Sequence, residues 1–229
     1  MSSEAERRQA ARKRNVTVSV TVIGVFVLAV AVLFAFCRPG PEAVEQAGLS
    51  AGESQLVRAD SHRLQSAADG KVTLVEFLDF ECEGCLAYYP AVEELREDYA
   101  GKVTFVARYF PMPGHFNGER AARAVEAAAA QGAFEAMYRR MYETQPQWGE
   151  KRVPADETFR GFAKDLGLDL AAWDKAYDDP ATLARIRKDM ADGRALGVQG
   201  TPTFFLNGTR IEPRTLAEFR AAIDAALAE

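Results

Sequence analysis

The chain is poor in metal-ligating residues: it has three cysteines and two histidines in 229 residues. Outside one cysteine pair the only candidates are Cys37, His62 and His115, and they follow no ligand spacing. A framework of structural disulfides is excluded too, because beyond Cys37 the pair is all that remains. No internal repeat is visible. There is no surplus of positive charge either: the formal net charge is −5, and five bases (Arg7, Arg8, Arg12, Lys13, Arg14) crowd into the first 14 residues. The remainder is more acidic still, which argues against nucleic acid as a partner. Metal ligands and cofactor motifs are not read here, so no cofactor is expected.

Long charge-free runs are equally scarce, and the one present is informative. Val16 to Phe36 carries no charge over 21 residues, about 31 Å as a helix, close to one bilayer core. The basic cluster before it puts the N-terminus in the cytoplasm. The competing reading is a cleaved signal peptide, whose apolar region is shorter and is followed by small residues; Phe36-Cys37 does not fit that pattern. The expected organisation is a cytoplasmic tail at 1–14, a transmembrane anchor at 15–37, a Pro/Gly/Ala/Glu-rich linker at 38–55 and a folded domain at 56–229. This predicts a single-pass protein of the cell membrane with its catalytic domain extracytoplasmic, a location compatible with lasting disulfides.

The pair itself is Cys82-Glu83-Gly84-Cys85. It follows the apolar run Val72–Leu78 and opens a helical pattern in which Leu86, Tyr89, Val92 and Leu95 recur. A cysteine at a helix start is favoured as thiolate by the free N–H groups and the helix dipole. Thiolate is the nucleophile of disulfide exchange. The bland alternatives are half a zinc site or an inert thiol pair.

Around the pair, Lys71 to Asp79 reads as a buried strand, Glu83 to Tyr99 as a helix kinked at Pro90, and Val103 to Phe110 as a second strand: a strand–helix–strand unit. Gln55 to Arg58 reads as a short edge strand. Glu119 to about Leu196 is helical and Ala-rich, with breaks near Gly132, Pro146 to Pro154, Gly167 and Pro180. Thr203–Leu206, the Asn207-Gly208 turn signal and Thr209–Glu212 form a hairpin. A last helix is capped by Thr215, with Glu218 three residues on; Leu216, Phe219, Ile223 and Leu227 form its core stripe. Trp148 and Trp173 read as packing residues.

This order resembles the thioredoxin-like α/β fold with an inserted helical domain at about 116–196. More narrowly it is similar to the DsbA-like thiol:disulfide oxidoreductases, in a membrane-anchored form. The matching stretches are Val75 to Cys82, Tyr109-Phe110-Pro111 and Gly197 to Gly208. The resemblance implies that Cys82 is the exchanging sulfur, Cys85 the resolving one, and the Thr201-Pro202 bond cis and facing the pair; the alternative is a trans proline starting a strand. It also implies that Glu76, an acid within a buried strand, relays a proton to or from the resolving thiol. Burial raises such a pKa, whereas the alternative is an ion pair with Lys71 or Lys102. The implied partners are exported proteins with free cysteines and a membrane reoxidant of the DsbB or VKOR type.

The chain departs from the best-known DsbA pattern between its cysteines, where Glu83-Gly84 replaces Pro-His. A negative charge beside Cys82 and no histidine there predict a higher Cys82 pKa and a lower reduction potential than the Pro-His type. His115 borders the active-site face in this reading, although a lone histidine is more often a surface or cap residue. Two alternatives remain open: a reductase or isomerase of the same fold, and a non-catalytic module that binds Cu(I) or a client protein.

Overall fold

The computed structural model describes residues 54–68 and 70–229. The expected tail, apolar run and most of the linker lie outside the described residues. Among the described residues no helix is long and apolar enough to cross a membrane.

The frame is a five-stranded mixed sheet of β1 (His62–Gln65), β2 (Val72–Leu78), β3 (Val103–Tyr109), β4 (Thr203–Leu206) and β5 (Thr209–Ile211), in the order β1-β3-β2-β4-β5. β2 and β3 run parallel, joined through α1 (Glu83–Asp98), and the other pairings are antiparallel. The β4–β5 hairpin turns at Asn207 (φ 47°) and Gly208 (φ 87°), the positive pair that a tight hairpin requires. Asn207 also exchanges two bonds with Thr73, its N–H to the Thr73 carbonyl at 3.0 Å and its Oδ1 from the Thr73 N–H at 2.9 Å. The turn therefore locks β4 in register on β2.

Between β3 and β4 the chain makes five helices: α2 (Gly118–Ala129), α3 (Phe134–Trp148), α4 (Asp156–Asp165), α5 (Leu170–Asp178) and α6 (Pro180–Ala195); α7 (Leu216–Leu227) follows the hairpin. Pro180 opens α6 at its first turn, with the Asp179 carboxylate accepting from Ala181 N–H at 2.8 Å. The break read at Pro146 to Pro154 is there, between α3 and α4, and Pro146 itself lies inside α3. It stands in the final turn, where a missing N–H removes a single bond and the helix is ending anyway.

The edge strand expected at Gln55–Arg58 is absent; the edge is β1, further along. The reason is that the segment's carbonyls are taken by a side chain. Arg108, fully buried, donates to the Gln55 and Leu56 carbonyls at 2.8 and 2.6 Å and to Asp189 and Asp192 at 2.8 and 2.6 Å. Arg58 forks onto Asp192 at 2.5 and 2.6 Å.

Side chains alternate across β2. Val72, Leu74 and Leu78 join the larger core with α1, α2, α3 and α7, while Val75 and Phe77 join a smaller one with Val106, Phe110, Val198 and Phe205. α6 closes the smaller core through Gly193, whose missing Cβ would lie 2.7 Å from Phe110 Cδ2 and 3.0 Å from Phe77 Cε1. Gly193→Ala is therefore expected to destabilise the domain by about 1–3 kcal/mol through overpacking. Urea unfolding of the two proteins measures this; an unchanged midpoint would contradict the packing.

Candidate active site

Leu78-Asp79-Phe80-Glu81 leaves the sheet and delivers Cys82 to the N-cap of α1, in extended conformation (φ −72°, ψ 121°). The loop is tight: Cys82 N–H donates to the Asp79 carbonyl at 3.1 Å. Both cysteines are free thiols, Cys82 half-buried and Cys85 fully buried on the inner face of α1.

The two sulfurs have opposite surroundings. Cys85 Sγ accepts from the Asp79 N–H at 3.5 Å, yet burial pushes its pKa well above the usual thiol range, and the negative charges of Glu76 and Cys82 push the same way. Cys82 is drawn down to about 5, first by the hydrogen bond from the Cys85 thiol and then by donors from Thr201 and from the N–H groups of Cys85 and Gly84. As a thiol, Cys82 donates to the Thr201 carbonyl at 3.2 Å. Once ionised it must exchange that acceptor for donors, and the buried Thr201 hydroxyl, which has no other hydrogen-bond partner among the described residues, stands on the same residue. Glu83 is not among the leading influences on this thiol.

The Thr201-Pro202 peptide bond is cis. An added Cβ on Gly84 would sit 3.4 Å from Cys82 Sγ and from Pro202 Cδ, and 3.5 Å from the Thr201 carbonyl. The two cysteines, Gly84, Thr201 and Pro202 thus converge. Beyond Pro202 opens a cavity of about 230 Å³, bordered by Tyr88, Phe204, Arg210, Pro213 and Arg214.

Glu76 lies one layer deeper. It pairs with Ala107 and Phe204 in the centre of the sheet and, by alternation, faces the same core as Leu74, Leu78 and Cys85. Burial first, and then the charges of Cys82 and Glu93, raise its pKa to about 8. No cation is among its leading influences.

Several residues that hold the site were not read from the sequence. Gln145 of α3 donates from Nε2 to the Phe80 and Cys82 carbonyls at 2.7 and 3.0 Å. The buried Glu81 carboxylate accepts from Asn117 N–H at 2.5 Å and Glu150 N–H at 3.1 Å. Asp79 Oδ2 accepts from Met112 N–H at 2.7 Å and lies 2.5 Å from His115 Nδ1. Tyr138 and Tyr142 bury hydroxyls with no hydrogen-bond partner among the described residues, and the nearby charges of Glu76 and, at Tyr142, Cys85 act on them. Acids alternating through an apolar run were a legible signal for Asp79 and Glu81; nothing local marks Gln145. Among the described residues no group of three or more His, Cys, Asp or Glu side chains is placed to hold a metal ion.

A dithiol at a helix start, one sulfur activated beside a cis-proline loop and the other buried, has the chemistry to cycle between dithiol and disulfide on a thioredoxin-like sheet. The comparisons agree: a family model described as Thioredoxin matches residues 60–225, and the chain belongs to that family. Among solved structures it is similar to a thioredoxin-like oxidoreductase from Silicibacter pomeroyi DSS-3 (29% identity, TM-score 0.61, covering 74% of this chain and 93% of that one). Wolbachia pipientis alpha-DsbA1 shares the fold at 18% identity and TM-score 0.67, covering 76% of this chain and 94% of that one.

The curated relatives are of another kind. A Na(+)/H(+) antiporter NhaA from Herminiimonas arsenicoxydans is 34% identical over 148 residues, 65% of this chain and 22% of the relative. The chain spans about a quarter of the length of the first curated relatives it matches, all of them so named. These findings correct the single-pass placement with a cytoplasmic N-terminus and an extracytoplasmic catalytic domain. The relatives are membrane proteins about four times as long as the matched domain, and the match falls on the thioredoxin-like part alone. A charge-free run of suitable length therefore does not fix where this domain sits.

Glu76 yields a test. An unfolded Glu ionises near 4.5, whereas the folded one stays neutral up to about 8. The unfolded state then binds fewer protons across that window, so the Glu76 contribution falls as pH rises from 4.5 to 8. Glu76→Gln should gain about 3 kcal/mol over wild type at pH 7 and almost nothing at pH 4. Cys82 acts in the opposite direction in both proteins, adding stability as pH rises from about 5 towards 9, so the difference between them reads Glu76 together with its coupling to Cys82. Urea unfolding across pH checks this; a pH-independent difference would contradict it.

Proposed function

We propose that the chain is a protein thiol:disulfide oxidoreductase that donates the Cys82–Cys85 disulfide to proteins with free cysteines, its catalytic unit being residues 56–229 with the helical insertion at about 116–196. The observation that carries this reading is the asymmetry of the two sulfurs: one half-exposed and held down to about 5, the other buried and held up. Such a pair can be attacked at one sulfur only.

In this reading a substrate thiolate attacks Cys82 Sγ of the oxidised pair. The Cys82–Cys85 bond breaks, a mixed disulfide forms, and Cys85 leaves as the sulfur that takes up a proton. Glu76, neutral near pH 7 and on the same core face, supplies that proton. A second substrate thiolate then attacks the substrate's own sulfur and displaces Cys82 as a stable thiolate. Pro202 has no N–H and covers the sulfurs without donating to them, while the Thr201 backbone offers an edge to an extended substrate. The cavity beyond Pro202 is where the rest of that segment would lie. Return to the oxidised state needs a disulfide-bearing reoxidant, of which the quinone-linked DsbB or VKOR type is the expected class.

The test is a trapping experiment with the full chain. Cys85→Ser leaves Cys82 without its resolving partner, so incubation with a disulfide-bearing client should accumulate a mixed disulfide that dithiothreitol releases. Cys82→Ser should trap nothing and lose refolding activity on a reduced, unfolded client by at least about a hundredfold. Equal trapping by both variants would contradict the assignment of roles.

A further inference from the structure

The dipeptide between the cysteines contains no histidine, but the fold brings one from the loop after β3. The Met112–His115 segment turns on a 3.0 Å bond from His115 N–H to the Met112 carbonyl. Its two ends meet one oxygen: Asp79 Oδ2 accepts from Met112 N–H at 2.7 Å and lies 2.5 Å from His115 Nδ1. Asp79 is completely buried and His115 is 22% exposed. Through its backbone Asp79 also touches both halves of the redox pair, accepting from Cys82 N–H at 3.1 Å and donating to Cys85 Sγ at 3.5 Å. The carboxylate is boxed in from a third side, for a Cβ on Gly118 would stand 2.9 Å from Asp79 Oδ1.

A bare carboxylate in that position would oppose a thiolate on Cys82, since like charges in a partly buried site repel strongly. We infer that His115, protonated and seated on Asp79, is a positioning residue that cancels the Asp79 charge and supplies the positive field in which the Cys82 thiolate forms. The inference rests on Cys82 being the exchanging sulfur.

The charges facing His115 all favour its protonated form. Asp79 is in direct contact and Glu150 Oε1 lies 3.8 Å from Nε2. Glu81 and Cys82 complete the set, from the active-site loop and the start of α1. The Asp79 hydrogen bond is the largest influence, and the imidazole pKa rises to about 9. The Cys82 charge is among the causes of that rise. Coupling between two titrating sites is reciprocal, so the imidazolium that Cys82 helps to protonate must in turn help to ionise Cys82. The groups facing Cys82 itself are the Cys85 thiol, Thr201, and the N–H groups of Gly84 and Cys85, with Glu76 acting from the layer beneath.

The decisive experiment needs no variant. The chain has two histidines, so His115 can be followed by NMR in the reduced and in the oxidised full-length protein. In the oxidised form Cys82 carries no charge, and the His115 pKa should fall by about half a unit or more relative to the reduced form. Equal values in both forms would overturn the inference. His115→Gln gives the converse reading: thiolate ultraviolet absorbance should show the Cys82 pKa raised by a similar amount, with the domain's circular dichroism unchanged. An unshifted thiol titration in that folded variant would also overturn it. A purely structural role for His115 would leave both titrations in place. Failure of the Cys85→Ser trap with intact coupling would count against the exchange reading alone.

Discussion

Two buried carboxylates govern this active site. Asp79 and Glu81 stand on the loop between the central strand and the redox helix, and each reaches into the helical insertion or the segment leading to it. Asp79 binds Met112 and His115; Glu81 binds the N–H groups of Asn117 and Glu150. Gln145 completes the clamp from α3 by donating to the Phe80 and Cys82 carbonyls. Hydrogen bonds to charged groups contribute about 1.5–3 kcal/mol each, and a buried carboxylate left without them would cost more. The loop and the insertion therefore form as one unit. The position of Cys82 at the start of α1 depends on residues more than thirty positions away in sequence.

That clamp fixes an electrostatic gradient across a few ångströms. On the outer side, donors converge on Cys82 and bring its pKa to about 5. On the inner side, the same burial that makes the core keeps Cys85 protonated and Glu76 neutral up to about 8. Both effects weigh on the same bond. Whatever stabilises the reduced Cys82 thiolate makes the disulfide easier to reduce, hence a better oxidant. The raised pKa of Glu76 means that its ionisation opposes the folded state as pH rises towards 8.

Much of this was legible in the sequence because it was local. The central strand shows as Val72–Leu78, the redox helix by its apolar spacing, and the hairpin through Asn207-Gly208, each within a few residues. Glu76 stood out as an acid in an apolar run. Other features were not legible because they are made by distant contacts. The edge strand moved from residues 55–58 to His62–Gln65, because the buried Arg108 captures the carbonyls of the earlier segment. His115 was placed at the border of the active-site face, but nothing near it in sequence gave it a role; its partner Asp79 is thirty-six residues upstream. Gln145 carries no sequence signal at all. The apolar run at 16–36 suggested a cellular placement that the antiporter relatives overturn, since the setting of a domain is not written in its own core.

The central claim is that this pair donates a disulfide, and its reduction potential tests that most directly. Equilibrating the full chain with glutathione buffers and counting free thiols gives the value. The asymmetry of Cys82 and Cys85 predicts a potential between about −120 and −200 mV, the range of disulfide-donating and isomerising proteins. A value near about −270 mV, as in thioredoxin, would mean that the pair reduces its partners instead. Failure to form the Cys82–Cys85 disulfide at any buffer ratio would remove the redox account altogether.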